Sequence, residues 1–497
     1  MPQHDKLVLP CIEVPSLSPR PSIYPEGNVK IPMRLAIKTS LAAACIATAL
    51  PAQAHAASGA AEKLPTRYSA AQILQLTPAQ QGAYLAPLRA LAGALDGAGR
   101  GTSSGIYTNV IIDAPNYQVD LLVTEPAKAK RLIDAARHAT PSINTTLVKI
   151  QSARYTRKQL DAARDQLANQ YSTHQLAYNL ISAAPDPHGA SLLVSVDDVA
   201  KARATVGNVA RSMRQSAVPI VFSSGTALSG LVGKAPARTP SAVTANAIDP
   251  YWAGVRWHDS SPFIAGDQLV TVEGYCTAGI PAMTTDGHNT PVLLTAGHCV
   301  KSSAVSDIQT GNGKAGFYYN PVVSGGNEVG FGGGSSVSDQ WDATEIVGQN
   351  YNADESDTTT YKKITSVAYS YDGDFVCQDG AYSFFAGQGV PCNIGVTNQD
   401  VLYWHANGSG VDVQSRGVQG RHLISYGGQW EPSGWAGHSG DSGGLVFSLS
   451  GGNTQARGQV SAGADDTWVG QGGDNTIYWT EAPDILGHYN LKLNPNT

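Results

Sequence analysis

The chain has 497 residues, of which 42% are hydrophobic and only 14% are charged, and its net charge is -6 at pH 7. This length indicates more than one domain, and the 53 glycines favour β-structure with many turns over long helical bundles. The acidic residues are concentrated in residues 246–497, which argues against nucleic acid as a partner, because phosphate binding requires clustered Lys and Arg.

A secretory signal peptide is predicted at residues 33–56. Two basic residues precede an apolar run at residues 41–50, and small residues follow it at a suitable cleavage position. The apolar run is too short to span a bilayer, so no stable membrane anchor is expected. Residues 1–32 look unlike any targeting segment and are interpreted as an N-terminal extension, which makes Met33 a candidate translation start. The protein is therefore expected to be secreted.

Residues 57–222 are predicted to form an α+β domain, because helical and strand patterns alternate along them. Helices are predicted over residues 69–95, 126–139, 157–170 and 197–213. Strands are predicted over residues 106–113, 117–124, 145–152, 191–196 and 218–223. No catalytic constellation stands out there, and the Gly-, Ser-, Pro- and Ala-rich residues 223–248 are predicted to be a linker.

Residues 249–497 are predicted to form an all-β domain. Short β-branched or aromatic runs alternate with clusters of Gly, Asn and Asp, which is the pattern of a barrel or a sandwich. Such runs occur within residues 268–273, 292–295, 343–347, 402–404, 444–448 and 477–480. No fixed-period repeat of the solenoid or propeller type is found.

Four cysteines lie in this second half of the chain: Cys276, Cys299, Cys377 and Cys392. None of them forms a C-x-x-C pair, so a zinc ribbon is not expected, and no metal is assigned. In an exported domain four cysteines suggest two disulfides. Three pairings are possible, and the spacing favours Cys276 with Cys299 and Cys377 with Cys392.

The strongest chemical signal is the run Gly-Asp-Ser-Gly-Gly at residues 440–444. A serine hydroxyl becomes a nucleophile only when a base removes its proton, and it needs backbone N–H groups facing the developing oxyanion. The glycines permit the tight turn that this arrangement requires. An ordinary Gly/Ser loop is the alternative interpretation of the same run.

A second signal, Thr-Ala-Gly-His-Cys at residues 295–299, ends an apolar strand and presents His298. Taken alone, a histidine beside a cysteine is usually structural, but together with Ser442 it indicates a general base. Asp342, at the start of a predicted strand, is the candidate carboxylate that orients the imidazole, and Asp339 and Glu345 are its rivals.

The chain order His, Asp, Ser differs from the order Asp, His, Ser of subtilisin-type enzymes and from the order Ser, Asp, His of α/β-hydrolases. The two motifs together resemble the paired signatures of chymotrypsin-fold serine proteases. The overall layout resembles the bacterial streptogrisin and α-lytic protease branch. This resemblance covers residues 249–497 at the level of motifs, and the N-terminal part only in layout.

The resemblance implies two antiparallel six-stranded β-barrels, preceded by an α+β pro-region, with the active site between the barrels. His298 and Asp342 would come from the first barrel and Ser442 from the second. The N–H groups of Gly440 and Ser442 would form the oxyanion hole. One of the two disulfides would lie beside His298, and the other matches the second bridge of the family.

Substrate contacts follow from the same resemblance. Ser461, Ala462 and Gly463 match the segment that pairs with the substrate backbone as an added strand. Ala436, six residues before the nucleophile, favours an apolar side chain in the specificity pocket. The acidic residues 465–466 could reverse that preference.

The resemblance also implies that the pro-region assists folding and blocks the active site, with removal somewhere in residues 223–250. The charges agree with this, since residues 57–245 carry 19 basic against 11 acidic side chains, whereas residues 246–497 carry 9 against 25. Two unlike solvated surfaces would give the same counts.

Two positions depart from the family pattern. Gln378 stands where the bacterial branch has an arginine paired with the aspartate before the nucleophile. Asp441 then needs another partner, with Arg416, Arg421 and the new N-terminus as candidates. His438 replaces a cysteine of the family and is interpreted as a loop residue, with a modulating role as the alternative.

The sequence thus predicts a secreted serine endopeptidase that acts through an acyl-enzyme, without cofactor or metal. Its expected partners are protein or peptide substrates and its own pro-region, and a monomer is expected. The alternative is a catalytically silent protease-fold binding protein.

Overall fold

The computed structural model describes residues 67–212, 218–230, 263–266, 268–270, 275–299, 306–310, 328–332, 340–347, 351–356, 361–406, 412–426, 429–467 and 473–494. Pro65–Thr497 forms one compact unit. The predicted extension, the predicted signal peptide and most of the predicted linker lie outside the described residues. Below, residues 67–230 are called the N-terminal region and residues 263–494 the C-terminal region.

The helices are concentrated in the N-terminal region, which contains α1 Ala70–Gln75, α2 Pro78–Arg100, α3 Ala129–Ala139, α4 Arg157–Ser172 and α5 Val199–Ser212. The C-terminal region contains the short helices α6 Ala381–Ser383 and α7 Ala482–His488. Single helical turns occur at Pro126–Lys128, Thr145–Leu147, Gly297–Cys299 and Phe384–Gln388. The sequence predicted one helix over residues 69–95, but the chain is extended at Leu76 and Thr77. Thr77 caps α2 and precedes Pro78, whose ring disfavours helical backbone at the residue before it.

The strands of the N-terminal region are β1 Tyr107–Asp113, β2 Gln118–Val123, β3 Val148–Ser152, β4 Leu180–Pro185, β5 Leu192–Val196, β6 Ile220–Ser224 and β7 Leu228–Gly230. Strands dominate the C-terminal region, where they are β8 Phe263–Ala265, β9 Gln268–Val270, β10 Tyr275–Thr277, β11 Pro281–Thr284, β12 Pro291–Ala296, β13 Ser306–Thr310, β14 Glu328–Gly332, β15 Ala343–Val347, β16 Tyr351–Ser356, β17 Tyr361–Val367, β18 Phe375–Asp379, β19 Ile394–Ala406, β20 Asp412–Tyr426, β21 Gln429–Pro432, β22 Leu445–Ser450, β23 Asn453–Thr467, β24 Asp474–Glu481 and β25 Leu491–Leu493. The molecule is mostly β, with a helical N-terminal region, as predicted.

Three sheets organise these strands. The first is β1–β2–β3, and the second runs β10–β9–β13–β14–β15–β12–β11–β25. In the third sheet, the antiparallel pairings pass from β18 through β19, β20, β24, β23 and β22 and return to β18. Strand β19 also pairs with β4, which joins β4, β5 and β6 of the N-terminal region to the third sheet.

The hydrophobic cores also extend across both regions. One core joins α2, β1 and β2 to Tyr371, Phe375 and Leu423. Another joins α4, β4 and β5 to Leu402 and Trp404. Because apolar side chains of both regions are buried together, the N-terminal region is packed as an integral part of this chain. Among the described helices, none combines the length and apolar character needed to cross a membrane.

Candidate active site

The turn that carries Ser442 lies immediately before β22. Gly440 and Gly443 have φ angles of 107° and 84°, in the left-handed region that favours glycine. A Cβ atom at Gly443 would lie 2.2 Å from the Thr295 side chain, so the turn is packed directly against the end of β12. The carbonyl of Ser442 accepts the Thr277 N–H at 2.8 Å, which fixes the turn to β10 as well.

His298 lies in the short helical turn Gly297–Cys299 that follows β12. Its Nε2 atom is 2.8 Å from Ser442 Oγ, and both side chains are buried. The adjacent Cys299 is bonded to Cys276, which ties this turn to β10. An imidazole within hydrogen-bond reach of a serine hydroxyl has the geometry of a general base beside a nucleophile.

Asp342 lies directly before β15, on the opposite side of the imidazole from Ser442. Its Oδ2 atom is 2.8 Å from His298 Nδ1, and its Oδ1 atom accepts the His298 backbone N–H at 2.9 Å. The hydroxyl of Ser461 donates to Oδ2 as well. Burial opposes the charge of Asp342, but the charge and hydrogen bonds of His298 outweigh it and hold the pKa below its ordinary value.

The rivals of Asp342 differ from it in position. Glu345 lies in β15 at intermediate burial, and burial raises its pKa. Among the described contacts Glu345 makes no hydrogen bond to His298. Asp339 lies outside the described residues. The structure therefore brings together the three residues that the sequence singled out first.

A second histidine, which the sequence analysis missed, lies behind Asp342. His405 Nε2 is 3.6 Å from Asp342 Oδ2 and 3.1 Å from Ser415 Oγ. Its ring meets that of His298 edge-on, with the centroids 5.3 Å apart. His298, Asp342 and His405 are buried, and their donor atoms lie close enough to ligate a metal ion. No local motif marks His405, which occupies one position of a long strand.

The backbone N–H groups of the turn fall into two classes. Those of Asp441 and Gly443 donate to the carbonyls of His438 at 3.0 Å and Val460 at 2.7 Å. Those of Gly440 and Ser442, the two predicted for an oxyanion hole, make no hydrogen bond within the described part of the chain. Two such N–H groups beside a nucleophile can stabilise an oxyanion.

The predicted substrate-pairing segment lies in β23, next to the site. Ala462 and Gly463 are paired antiparallel with Gly230 and Ser229 of β7. The same short strand runs parallel to the end of β19 on its other side. Residues 228–230, which the sequence assigned to a linker, therefore form a strand against the segment that resembles a substrate-binding edge.

The remaining predicted residues are placed as follows. Ala436 is fully buried, and its N–H donates to the Asp474 carbonyl at 2.7 Å. The two predicted disulfides, Cys276–Cys299 and Cys377–Cys392, are both formed. His438 stacks on Tyr382, with the ring centroids 4.2 Å apart.

Neither Arg416 nor Arg421 forms a described ion pair with Asp441, and the third candidate, the new N-terminus, stays a prediction. Arg416 instead donates to Asp400 at 3.2 Å. Asp441 is fully buried and accepts hydrogen bonds from the side chains of Gln378 and Ser383 and from two backbone N–H groups. Burial raises its pKa, while the Ser383 hydrogen bonds oppose that rise. Neutral donors thus replace the arginine that the family resemblance led us to expect.

Solved structures that resemble this one are those of serine proteases. Thermobifida fusca Protease A is 17% identical over 46% of this chain and 97% of its own, with a TM-score of 0.31. A glutamic acid specific serine protease is 19% identical over 46% of this chain and 100% of its own, with a TM-score of 0.32. Nocardiopsis protease is 19% identical over 47% and 99%, with a TM-score of 0.29.

No protein-family model matches the chain, and no curated protein matches it significantly. The structural likeness covers less than half of this chain at TM-scores well below 0.5. A likeness of this extent does not establish an activity, which has to follow from the geometry of the site itself.

Proposed function

We propose that the chain is the precursor of a secreted serine endopeptidase with Ser442 as nucleophile, His298 as general base and Asp342 as orienting carboxylate. The observation that carries the proposal is the continuous chain of contacts from Ser442 Oγ through both nitrogens of His298 to Asp342, with 2.8 Å at each link. All three side chains are buried, so these polar contacts are formed away from bulk water.

The proposed reaction is acyl transfer. His298 Nε2 removes the proton of Ser442 Oγ as this oxygen attacks the carbonyl carbon of a peptide bond. His298 then returns the proton to the departing amine nitrogen as the C–N bond breaks, which leaves an acyl ester on Ser442. Water attacks the ester with His298 again as the base, releasing the acid and restoring the hydroxyl. Asp342 stabilises the imidazolium formed in each half of the cycle.

Two further features support a peptide as substrate. The N–H groups of Gly440 and Ser442 are available to the oxyanion that develops at the attacked carbonyl. Residues 462–464, which overlap the predicted substrate edge at residues 461–463, accept an antiparallel strand, as their pairing with β7 illustrates. The returning succession of six antiparallel strands from β18 supports one of the two proposed barrels.

We further propose that residues 57–222 are a pro-region that follows the signal peptide at residues 33–56, and that processing in residues 223–248 separates it from the protease domain, residues 249–497. Strand β7 lies on the proposed substrate edge, where it would exclude a substrate. Arginines of the N-terminal region also reach carboxylates of the C-terminal region, as in the contacts of Arg89 with Asp374 and of Arg157 with Asp400.

A catalytically silent protease-fold binding protein is the competing function. The experiment is to express the full chain and the S442A variant and to measure casein hydrolysis and the mass of each product. We expect the wild-type chain to hydrolyse casein and to be cut after Gly230, because residues 228–230 are held in β7, whereas S442A stays uncut and inactive. Equal casein hydrolysis by both proteins, or none by a correctly folded wild-type protein, would contradict the proposal.

A further inference from the structure

The carboxylate of Asp441, next to the proposed nucleophile, is enclosed by hydrogen-bond donors. Its Oδ1 atom accepts the backbone N–H of Ser383 at 2.8 Å. Its Oδ2 atom accepts the His438 backbone N–H at 2.9 Å, the Gln378 side-chain amide at 3.1 Å and the Ser383 hydroxyl. Asp441, Gln378 and Ser383 are all fully buried. Four donors from three residues therefore hold one carboxylate.

The Ser383 hydroxyl is oriented by its own neighbours. Its oxygen accepts the indole N–H of Trp435 at 2.7 Å and the Gln378 amide at 3.1 Å. A hydroxyl has two acceptor lone pairs and one proton, so with both lone pairs occupied its proton is directed to the remaining partner, Asp441. Ser383 thus links Trp435 to the turn of the nucleophile.

Every donor in this arrangement is neutral. Among the described residues, no Lys or Arg forms an ion pair with Asp441. A buried carboxylate without a cation depends on its hydrogen bonds for stability, so loss of one donor leaves its buried charge less well compensated. The position of Asp441 is therefore sensitive to each neutral donor.

The turn that contains Asp441 also carries both proposed oxyanion donors. The peptide N–H groups of Gly440 and Ser442 lie immediately before and after Asp441 in the chain. The Gly440 carbonyl accepts the Thr277 hydroxyl at 2.8 Å, which fixes the same turn from another side. A shift of the Asp441 side chain would thus turn one or both of these N–H groups.

We propose that Ser383 and Gln378 are positioning residues that orient the oxyanion-binding N–H groups of Gly440 and Ser442 by holding Asp441. The inference rests on the proposed endopeptidase function. It assigns to two neutral side chains the task of fixing the nucleophile turn. Neither residue touches the reacting atoms, so their removal should affect the transition state more than the binding of substrate.

The test compares S383A, which removes the hydroxyl, with Q378M, which removes the amide donor at nearly constant length. Each variant is expressed as the full chain, and its active sites are counted with a serine-directed phosphonate. The matched control is S448A, which removes another buried hydroxyl that accepts from Arg457 at 2.9 Å, away from the turn. Measurements are kcat and KM on a peptide substrate, and Ki of a peptide aldehyde, whose tetrahedral adduct carries the oxyanion.

We expect kcat of S383A to fall about 10- to 100-fold, with KM changed less than about threefold, and the aldehyde Ki to rise in parallel. Q378M should show the same pattern with a smaller fall. Each change leaves Asp441 three donors, but S383A also deprives the buried indole N–H of Trp435 of its acceptor. S448A should lose thermal stability and keep its kcat. If the wild-type protein is active and both S383A and Q378M keep kcat and aldehyde Ki within about twofold, the positioning role is overturned while the proposed function stands. An inactive wild-type protein would instead overturn the proposed function.

Discussion

The buried carboxylates of the candidate site and the buried arginines of the N-terminal region differ in where they find their hydrogen-bond partners. In the C-terminal region, Asp342 and Asp441 find all their described hydrogen-bond partners within that region. In the N-terminal region, Arg89 and Arg157 reach across to carboxylates of the C-terminal region. The triad and Asp441 are therefore held by contacts within the C-terminal region alone. The N-terminal region contributes arginines whose ion pairs hold the two regions together.

The contacts of Asp400 illustrate this second pattern. It is bound by Arg157 and Arg100 of the N-terminal region and by Arg416 of its own region. Burial opposes its charge, but the guanidinium groups of these three arginines and of Arg164 outweigh burial and hold its pKa well below the ordinary value. Without the N-terminal region Asp400 would keep only Arg416 of these three partners, so the pairs with Arg157 and Arg100 favour the arrangement in which the two regions are in contact.

The largest expected effect comes from S442A, which removes the proposed nucleophile of the candidate site. Loss of the nucleophile should lower the rate of peptide hydrolysis by at least about 10⁴-fold, since the base and the carboxylate act only through this hydroxyl. Because the regions are joined by contacts that do not involve Ser442, the uncut precursor should remain folded. Hydrolysis assays and circular dichroism check the two expectations, and an unfolded S442A chain would contradict the separation of site and assembly.

D342N should have the next largest effect. An amide in place of the carboxylate cannot stabilise the imidazolium of His298 and favours the wrong tautomer, so kcat should fall by about 10⁴-fold. D286N, at an exposed aspartate, is the control and should leave kcat unchanged. The assay is hydrolysis of a peptide substrate per titrated active site. A fall of less than about tenfold in D342N would show that another group orients His298.

R157M should affect the precursor and leave the site intact. Removing one partner of a buried ion pair should lower the free energy of unfolding by about 3–5 kcal/mol. This is measured by denaturant unfolding of the S442A chain, with exposed Lys158 changed to methionine as the control. In the chain that retains Ser442, kcat per active site should stay unchanged after processing. A changed kcat would mean that the N-terminal region shapes the mature site.

The smallest expected effect is a pH dependence of the stability of the fold that arises from Asp372. This carboxylate accepts a hydrogen bond from the side-chain amide of Asn109, in the N-terminal region, at 2.7 Å. Burial raises the pKa of Asp372 from 3.8 to about 7. Because the folded chain holds the proton more tightly than the unfolded chain, this group stabilises the fold fully below pH 3.8 and loses that contribution as pH rises to about 7.

Thermal unfolding of S442A between pH 4 and 8 measures the contribution of Asp372 to stability. S442A/D372N is the matched control, because an asparagine at position 372 does not titrate. The stability of S442A relative to the control should fall by a few kcal/mol, with about 4 kcal/mol as the upper limit, as the pH rises through this window. Parallel pH curves for the two chains would contradict a protonated Asp372 at the contact between the regions.

Local patterns made the core of the site predictable from the sequence. The glycines around Ser442 and the small residues before His298 mark turns that their own neighbours determine, and the position of Asp342 at the start of a predicted strand indicated the third residue. His405, Ser383 and the role of Gln378 depend instead on strands and segments far apart in the chain. No local composition distinguishes such residues from ordinary core or loop positions.

The fold was predictable to a similar extent. Most helices and strands of the N-terminal region lie within a few residues of their predicted bounds. Strand β4 was missed because its small and apolar residues carry no alternation: all six are buried, between β5 and β19 of the other region. The strand at residues 228–230 was missed for a related reason, since its pairing partners lie more than 170 residues away along the chain.

The most direct test of the central claim is the chemical reactivity of Ser442. The wild-type protein from the culture medium is treated with a serine-directed phosphonate, and the adduct is mapped by peptide mass spectrometry, with an H298A variant as the control. The account predicts one adduct, on Ser442, formed rapidly in the wild-type protein and strongly slowed in H298A. A folded wild-type protein without label on Ser442, or one labelled equally fast without His298, would contradict it.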